Sequence, residues 1–330
     1  MSQTPDEDIL IALLAGALPA VRHTHLGIGD DAAAVKLPGG DLLLVTTDLL
    51  MEDVHFRLAW GDLGQLGWKA LAQNLSDIAA MGGVPTHAVI SLALPAGITA
   101  VQAEALYRGL GELAAQSGVD IIGGDTIRSS GPLTIGVTVL GRVAPADLLT
   151  RDGGHPGDAL FVTGALGAAA AGVRLLDSGR TAPEALRPAI LAQLQPQPRL
   201  AAARGLATTG RVTAMMDLSD GVATDLHRLC RASGVGAIVE RARLPIAPVV
   251  FAACAWLAET GAACDPLEMA LCGGEDFELL LSTPPAAEDE LRRRIVPLPL
   301  TRIGVLTASP DLLLRDDAHD IPLPWGFTHF

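Results

Sequence analysis

The chain has 330 residues, 49% of them hydrophobic and 18% charged, which is enough apolar material for a sizeable core and excludes a disordered polypeptide. Its 23 basic and 37 acidic residues leave a net charge of −14, which argues against a nucleic-acid backbone as partner. Any anionic substrate has to be met by local Arg side chains or bound cations. No apolar run of about 18 residues occurs and no basic segment precedes an apolar one, so neither a membrane span nor a secretory signal is expected and a cytoplasmic location is.

In chain order, a first helix is expected from Asp6, an N-cap, through Ile9, Leu10, Leu13 and Leu14 at helical spacing. Residues 42–47 read as a buried strand ending at Asp48, and residues 63–80 as a helix carrying Leu66, Trp68, Leu71 and Ile78. Thr86–Leu94 alternates like a strand and is stopped by Pro95; a helix over 99–117, a short strand Val119–Ile122 and a strand Pro132–Val143 follow. The stretch Leu148–Asp158, with Gly153, Gly154, Pro156 and Gly157, reads as the linker, which divides the chain into domains 1–147 and 148–330. Beyond it come a strand over 159–163, helices over 167–177 and after Pro198, and a strand Val212–Met216. A helix over 219–233, a strand over 236–243, a helix over 247–260 and a strand Phe277–Ser282 complete the reading. Strands and helices mix without strict βαβ alternation, so the expected class is α+β with two domains. Cys230, Cys254, Cys264 and Cys272 include no C-x-x-C pair and are expected to be reduced, buried thiols.

Carboxylates beside glycines and small hydroxyl residues recur along the chain: Gly27-Ile28-Gly29-Asp30-Asp31, Thr46-Thr47-Asp48, Asn74-Leu75-Ser76-Asp77, Gly123-Gly124-Asp125, Asp217-Leu218-Ser219-Asp220-Gly221 and Gly273-Gly274-Glu275-Asp276. Any one of these is an ordinary turn or N-cap pattern. Their repetition carries the argument, with Asp48, Asp125 and Asp217 each at an expected strand C-terminus, where ligands bind in mixed sheets. Gathered carboxylates repel one another and need a cation, and all-oxygen ligands favour a hard ion such as Mg²⁺ shared with substrate phosphates. Thr46, Thr47 and Ser219 add oxygen ligands without adding charge. His55, in a loop with Glu52 and Asp53, belongs near that site. These features point to a magnesium-dependent enzyme that handles a nucleotide.

Competing signatures fail on inspection. Neither Lys36 nor Lys69 follows a glycine, so there is no Walker A loop, and the protein-kinase motifs are missing. Gly27–Ala32 superficially matches a dinucleotide fingerprint, but Pro38-Gly39-Gly40 interrupts the helix that should follow, and two carboxylates would face a diphosphate. His23 and His25 lack further ligands at zinc spacing.

Taken together, these motifs closely resemble those of the thiamine-monophosphate kinases, of the aminoimidazole-ribonucleotide synthetase-like superfamily. The resemblance runs in order through Gly27–Asp31, Thr46–Leu50, Val54-His55-Phe56, Lys69–Gly82, Ile122–Thr126, Thr150-Arg151, Pro156–Asp158, Met216–Gly221, Gly273–Leu279 and Gly326–Phe330. It implies ATP-dependent phosphorylation of thiamine monophosphate to thiamine diphosphate by a homodimer, whose mixed α/β N-terminal domains share a barrel and whose C-terminal domain is α+β. By matching motif, Asp31, Thr46, Thr47, Asp48, Asp77, Asp125, Asp217 and Asp220 become ligands of several Mg²⁺ ions, with Asp48, Asp125 and Asp220 catalytic. Tyr107, Gly124, Arg151 and Ser219 become ATP contacts, and His55, Glu275 and either Trp325 or Phe327 hold the thiamine phosphate. Asp53 departs from the glycine common in the family, and Val222 from its leucine. A related ATP-dependent enzyme with another acceptor, or a nucleotide-binding regulator, are the alternatives.

Overall fold

The computed structural model describes residues 7–19, 21, 24–259, 261–317 and 319–326. Asp6, His23 and the terminal segment 327–330, Phe327 included, lie outside them. The N-terminal half contains α1 (Glu7–Gly16), β1 (Thr24–Leu26), β2 (Ala33–Lys36), β3 (Leu42–Met51), α2 (Leu63–Ala80), β4 (Val84–Pro95), α3 (Ala100–Ser117), β5 (Asp120–Ser129) and β6 (Thr134–Val143). The C-terminal half contains β7 (Ala159–Thr163), α4 (Ala168–Asp177), α5 (Arg187–Leu194), α6 (Leu200–Ala207), β8 (Ala214–Asp217), α7 (Val222–Ser233), β9 (Gly236–Glu240) and α8 (Pro248–Ala258). It closes with α9 (Pro266–Cys272), β10 (Leu279–Thr283), α10 (Glu288–Arg294), β11 (Leu300–Thr307), β12 (Leu312–Asp316) and β13 (His319–Pro322).

Six strands form the first sheet in the order β1-β2-β3-β6-β4-β5, and seven form the second in the order β13-β12-β9-β11-β7-β10-β8. Among the described strands, only β4–β5 and β9–β12 pair in parallel. Two mixed α/β units with largely antiparallel sheets match the expected class. The first sheet stays open, and its outer strand β5 is exposed along nearly its whole length.

Local chemistry explains the best-formed helices. Asp62 and Gln65 close a reciprocal capping box at the start of α2, and Thr99 and Gln102 do the same for α3. The two helices pack backbone to backbone: a Cβ on Gly109 would sit 1.7 Å from the Gly64 carbonyl, and one on Gly67 2.0 Å from that of Leu106. Helix α2 is buried around most of its circumference, because the first sheet, α3 and the C-terminal half all press on it. In the second sheet, β7 and β10 are fully buried and alternate between two cores. Leu160 and Val162 join Leu226 and Leu229 of α7 on one face, while Phe161 joins Leu206 and Leu291 on the other.

Three expectations change. Leu42–Met51 pairs without a break with Thr134–Val143, so β3 runs through Asp48 instead of ending there. Likewise β5 continues through Gly123-Gly124-Asp125 to Ser129, held by β4. Of the three carboxylates expected at strand ends, only Asp217 is at one. Cys254 and Cys264 are joined by a disulfide, with sulfurs 2.02 Å apart, so the expectation of free thiols holds only for Cys230 and Cys272. The loop between α8 and α9 is short enough to bring the pair together. Among the described residues, no helix is long and apolar enough to cross a membrane.

Candidate active site

Alternation along β3 aims Thr46 and Asp48 at α2 and sends Thr47 to the opposite face. Thr46 Oγ1 donates to Asp77 Oδ2 at 2.5 Å, and the Asp48 amide donates to Asn74 Oδ1 at 3.1 Å. From the other half of the molecule, Asp217 at the end of β8 accepts from Ser76 Oγ at 2.6 Å. Helix α2 therefore presents Asn74, Ser76 and Asp77 as a spine to which both halves attach. Carboxylate oxygens of Asp31, Asp77 and Asp217 all lie within 4.8 Å of one another.

Burial is the largest influence on each of these acids. It raises the pKa of Asp31, with Arg151 pulling the other way, and lifts Asp77 and Asp217 well above the usual range, reinforced by neighbouring carboxylates. Asp48 is pushed to about 6 by burial and then by Asp31 and Asp220. Asp30 reaches about 7 by burial and then by Asp31. Such a cluster retains protons unless a cation replaces them. The donor set suits a hard divalent ion, being all oxygen and rich in carboxylates, and Asp31 Oδ2 is buried without a hydrogen-bond partner among the described residues.

Arginines supply the counter-charge. Arg151 pairs with Asp31 through both Nε, at 3.1 Å, and Nη2, and its backbone amide donates to Asp30 at 3.1 Å. Burial works against the Arg151 charge, but Asp31 and Asp30 more than offset it and raise its pKa. Arg228 Nη1 bridges Asp220 and Asp225, the latter at 3.0 Å.

The expected substrate residues are each held by local contacts. His55 Nδ1 accepts from the Met51 amide at 3.1 Å, which fixes the ring in the loop after β3. Glu275 adopts φ +67° and donates its amide to the Ser219 carbonyl at 2.7 Å, tying the glycine-rich turn to the Asp217–Asp220 segment. Its neighbour Asp276 accepts from the Gly167 and Ala169 amides at the start of α4 and is held near 7, chiefly by burial. Trp325 is 65% exposed and stacks on His227 with ring centroids 4.0 Å apart.

Other expected residues are not brought to the cluster within one chain. The Thr47 hydroxyl meets Thr138 Oγ1 at 2.9 Å on the far face of the sheet. Gly124 lies in register with Asp48 through Val137 and Ile90, which places it three strand spacings, about 14 Å, away. Asp125 is next to it on the exposed edge strand, and Tyr107 is half-exposed on the outer side of α3. Phe327 lies outside the described residues. Sequence reasoning missed Lys69, Gln193 and Arg228. A lone lysine in an apolar helix was a usable signal for Lys69, whereas Gln193 carries none.

Two open-sided sheets meeting at a buried carboxylate cluster on one helix define a two-domain, synthetase-related scaffold. Residues 29–143 match the family described as AIR synthase related protein, N-terminal domain, and residues 155–317 match its C-terminal counterpart. The thiamine-monophosphate kinase of Bacillus subtilis is 35% identical over 94% of this chain and 95% of its own length. That of Synechococcus elongatus is 37% identical over 98% and 96%. A solved structure of AaThiL complexed with AMPPCP and TMP superposes with a TM-score of 0.85 at 31% identity, covering 98% of this chain and 97% of that one. The chain belongs to the thiamine-monophosphate kinase family. Hydrogenase maturation protein HypE in complex with ATP, at 20% identity and a TM-score of 0.71, shares the fold alone.

Proposed function

We propose that this protein transfers the γ-phosphoryl group of ATP to thiamine monophosphate, giving thiamine diphosphate. The observation that carries the reading is the convergence of Asp31, Asp77 and Asp217 on α2 from both halves of the chain, in a protein whose near-full-length relatives are thiamine-monophosphate kinases. Asp31, Asp48, Asp77, Asp217 and Asp220, with the Thr46 hydroxyl and the main chain at Thr47, are the groups that would hold several magnesium ions. Magnesium supplies charge neutralisation between two anionic reactants and polarises the transferred group.

The chain's own part is positioning. The acceptor phosphate is already ionised near neutral pH, so in-line transfer needs little general-base help. Asp48 and Asp220 approach the reacting phosphates from opposite halves of the molecule. Arg151 and Ser219 would contact ATP, and His55, Glu275 and Trp325 the thiamine phosphate, with the Glu275 amide bonded directly to the Ser219 carbonyl between the two groups.

Gly124, Asp125 and Tyr107 enter this scheme through a homodimer. A ten-residue edge strand with Ile122 and Ile127 more than half exposed is an unprotected pairing surface. A second copy covering it would join the open sheets into a shared barrel and carry Asp125 and Gly124 into the interface. The division into domains 1–147 and 148–330 and a cytoplasmic setting belong to the same proposal.

The test is incubation of the purified protein with ATP, Mg²⁺ and thiamine monophosphate, with thiamine diphosphate detected by chromatography. Product that vanishes with EDTA is the expected result. ATP binding without product would move the activity to another acceptor.

A further inference from the structure

Lys69 is the one lysine on α2, and its side chain is 2% exposed in the middle of an apolar helix. An ammonium group survives burial only when paired and hydrogen-bonded. Its Nζ lies 2.7 Å from Glu275 Oε1 and 3.3 Å from the His55 carbonyl oxygen. The other oxygen of Glu275 is held from a different direction, where Gln193 Nε2 on α5 donates to Oε2 at 2.7 Å. Two segments far apart in sequence thus clamp one carboxylate, whose backbone is already in the left-handed region, and the His55 loop is tied in through Lys69.

The arrangement is not the one that packing alone favours. Gln193 is 1% exposed, and holding Nε2 on a carboxylate forces its Oε1 to face away, where it is buried without a hydrogen-bond partner among the described residues. An orphaned buried acceptor is costly, and a hydrophobic residue of similar volume would avoid the cost. Lys69 and Gln193 also line a cleft with Phe56, Trp60, Leu66 and Leu194, beside the His55 loop. Moving Lys69 therefore shifts both the Glu275 carboxylate and the His55 backbone.

We propose that Lys69 and Gln193 are positioning residues that fix the Glu275 carboxylate, and through Lys69 the His55 loop, against the cationic, thiazolium-bearing end of the acceptor. The inference rests on Glu275 being a contact of the acceptor, as proposed above. A bridge that merely joined the two halves would affect stability and treat both substrates alike. A positioning clamp acts on one substrate.

The experiment compares Lys69→Met, Gln193→Leu, Glu275→Gln and the Lys69→Met/Glu275→Gln pair in the full chain, measuring kcat and both KM values. Lys69→Met and Glu275→Gln should each raise KM for thiamine monophosphate about tenfold and Gln193→Leu about threefold, with KM for ATP unchanged. The double variant should be no worse than Glu275→Gln, because the lysine acts through that carboxylate. If Glu275→Gln raises that KM but Lys69→Met and Gln193→Leu change only thermal stability, or both KM values equally, the positioning role falls and the Glu275 reading stands. A normal KM in Glu275→Gln overturns both. Should Lys69→Met not fold, Gln193→Leu alone and with Glu275→Gln supports the same comparison. A wild-type chain that makes no thiamine diphosphate defeats the proposed function, and this inference with it, before any variant is assayed.

Discussion

Two acidic regions of this molecule look alike in sequence and differ completely in the fold. Asp217 follows a short buried strand and meets Asp31 and Asp77 in a pocket where burial forces protons onto the carboxylates. Asp125 follows two glycines on an edge strand whose residues face solvent, three strands from Asp48. A carboxylate beside glycine therefore says nothing about burial; its strand's place in the sheet does. In one chain the first region is a gathered charge cluster, and the second is an exposed sheet edge.

The largest effect should come from the buried region. Asp48→Asn and Asp77→Asn are each expected to lower kcat by about a thousandfold or more while circular dichroism stays native. Because each substitution also removes a charge from a repulsive, desolvated group, the metal-free variants should melt no lower than the wild type at mildly alkaline pH. Near-normal turnover at saturating Mg²⁺ would break the comparison at its stronger end.

The exposed region makes a different prediction. Asp125→Asn should also cost activity, about a hundredfold, yet leave stability within about 0.5 kcal/mol, as exposed substitutions generally do. If a second copy brings Asp125 to the cluster, refolding a mixture of Asp125→Asn and Asp48→Asn chains should restore part of the activity, because mixed dimers hold one intact site. Absence of restoration, with dimers confirmed by light scattering, would mean that each chain uses its own Asp125. Ile122→Glu should shift the protein toward monomer.

How far this contrast was legible depends on the range of the interactions that create it. Helices α2 and α3 and strand β7 fall where capping residues and periodicity place them, because those signals are local. The carboxylates of Asp31, Asp48, Asp77 and Asp217 were legible as a set through repetition. That Asp48 and Asp125 sit inside long strands was not, since pairing with β6 and β4 carries each strand past its local stop. Strands β1, β2, β11, β12 and β13 and helices α5, α9 and α10 also escaped, being short or lacking clear periodicity. Gln193 on Glu275, across 82 residues, depends on a tertiary approach that no local pattern encodes, whereas Arg228 pairs locally, with Asp225 three residues away on α7 and with Asp220 just before it.

A smaller effect separates the two regions by pH. Asp31, Asp77 and Asp217 have raised pKa values, Asp48 lies near 6 and Asp30 near 7. The native metal-free chain therefore binds more protons than the unfolded one between the ordinary carboxylate value of 3.8 and those raised values. Stability from these groups is complete below that window and is lost as pH rises through it. Metal-free protein should melt about 5 °C lower at about pH 8 than at about pH 5.5. Added Mg²⁺ should remove most of the difference by replacing the protons. Asp276 adds a part with the same sign that Mg²⁺ leaves in place, because its partners are the α4 amides. A melting temperature that rises with pH would contradict the burial argument.

The smallest effect belongs to the C-terminal strap. Trp325 lies over His227 with the rings nearly parallel, and the His227 pKa is lowered by burial and then by Arg231. Beside it, a Cβ on Gly326 would come within 2.6 Å of Thr224 Oγ1, so the strap lies tightly against α7. The indole is still mostly exposed, so a free face is left for the proposed acceptor contact. Trp325→Leu should raise KM for thiamine monophosphate about threefold with kcat unchanged, the loss of one partly solvated aromatic contact. His227→Leu should give a similar but weaker rise if stacking is what orients the indole. An unchanged KM in both would take the strap out of the acceptor site and leave Glu275 and His55 to define it.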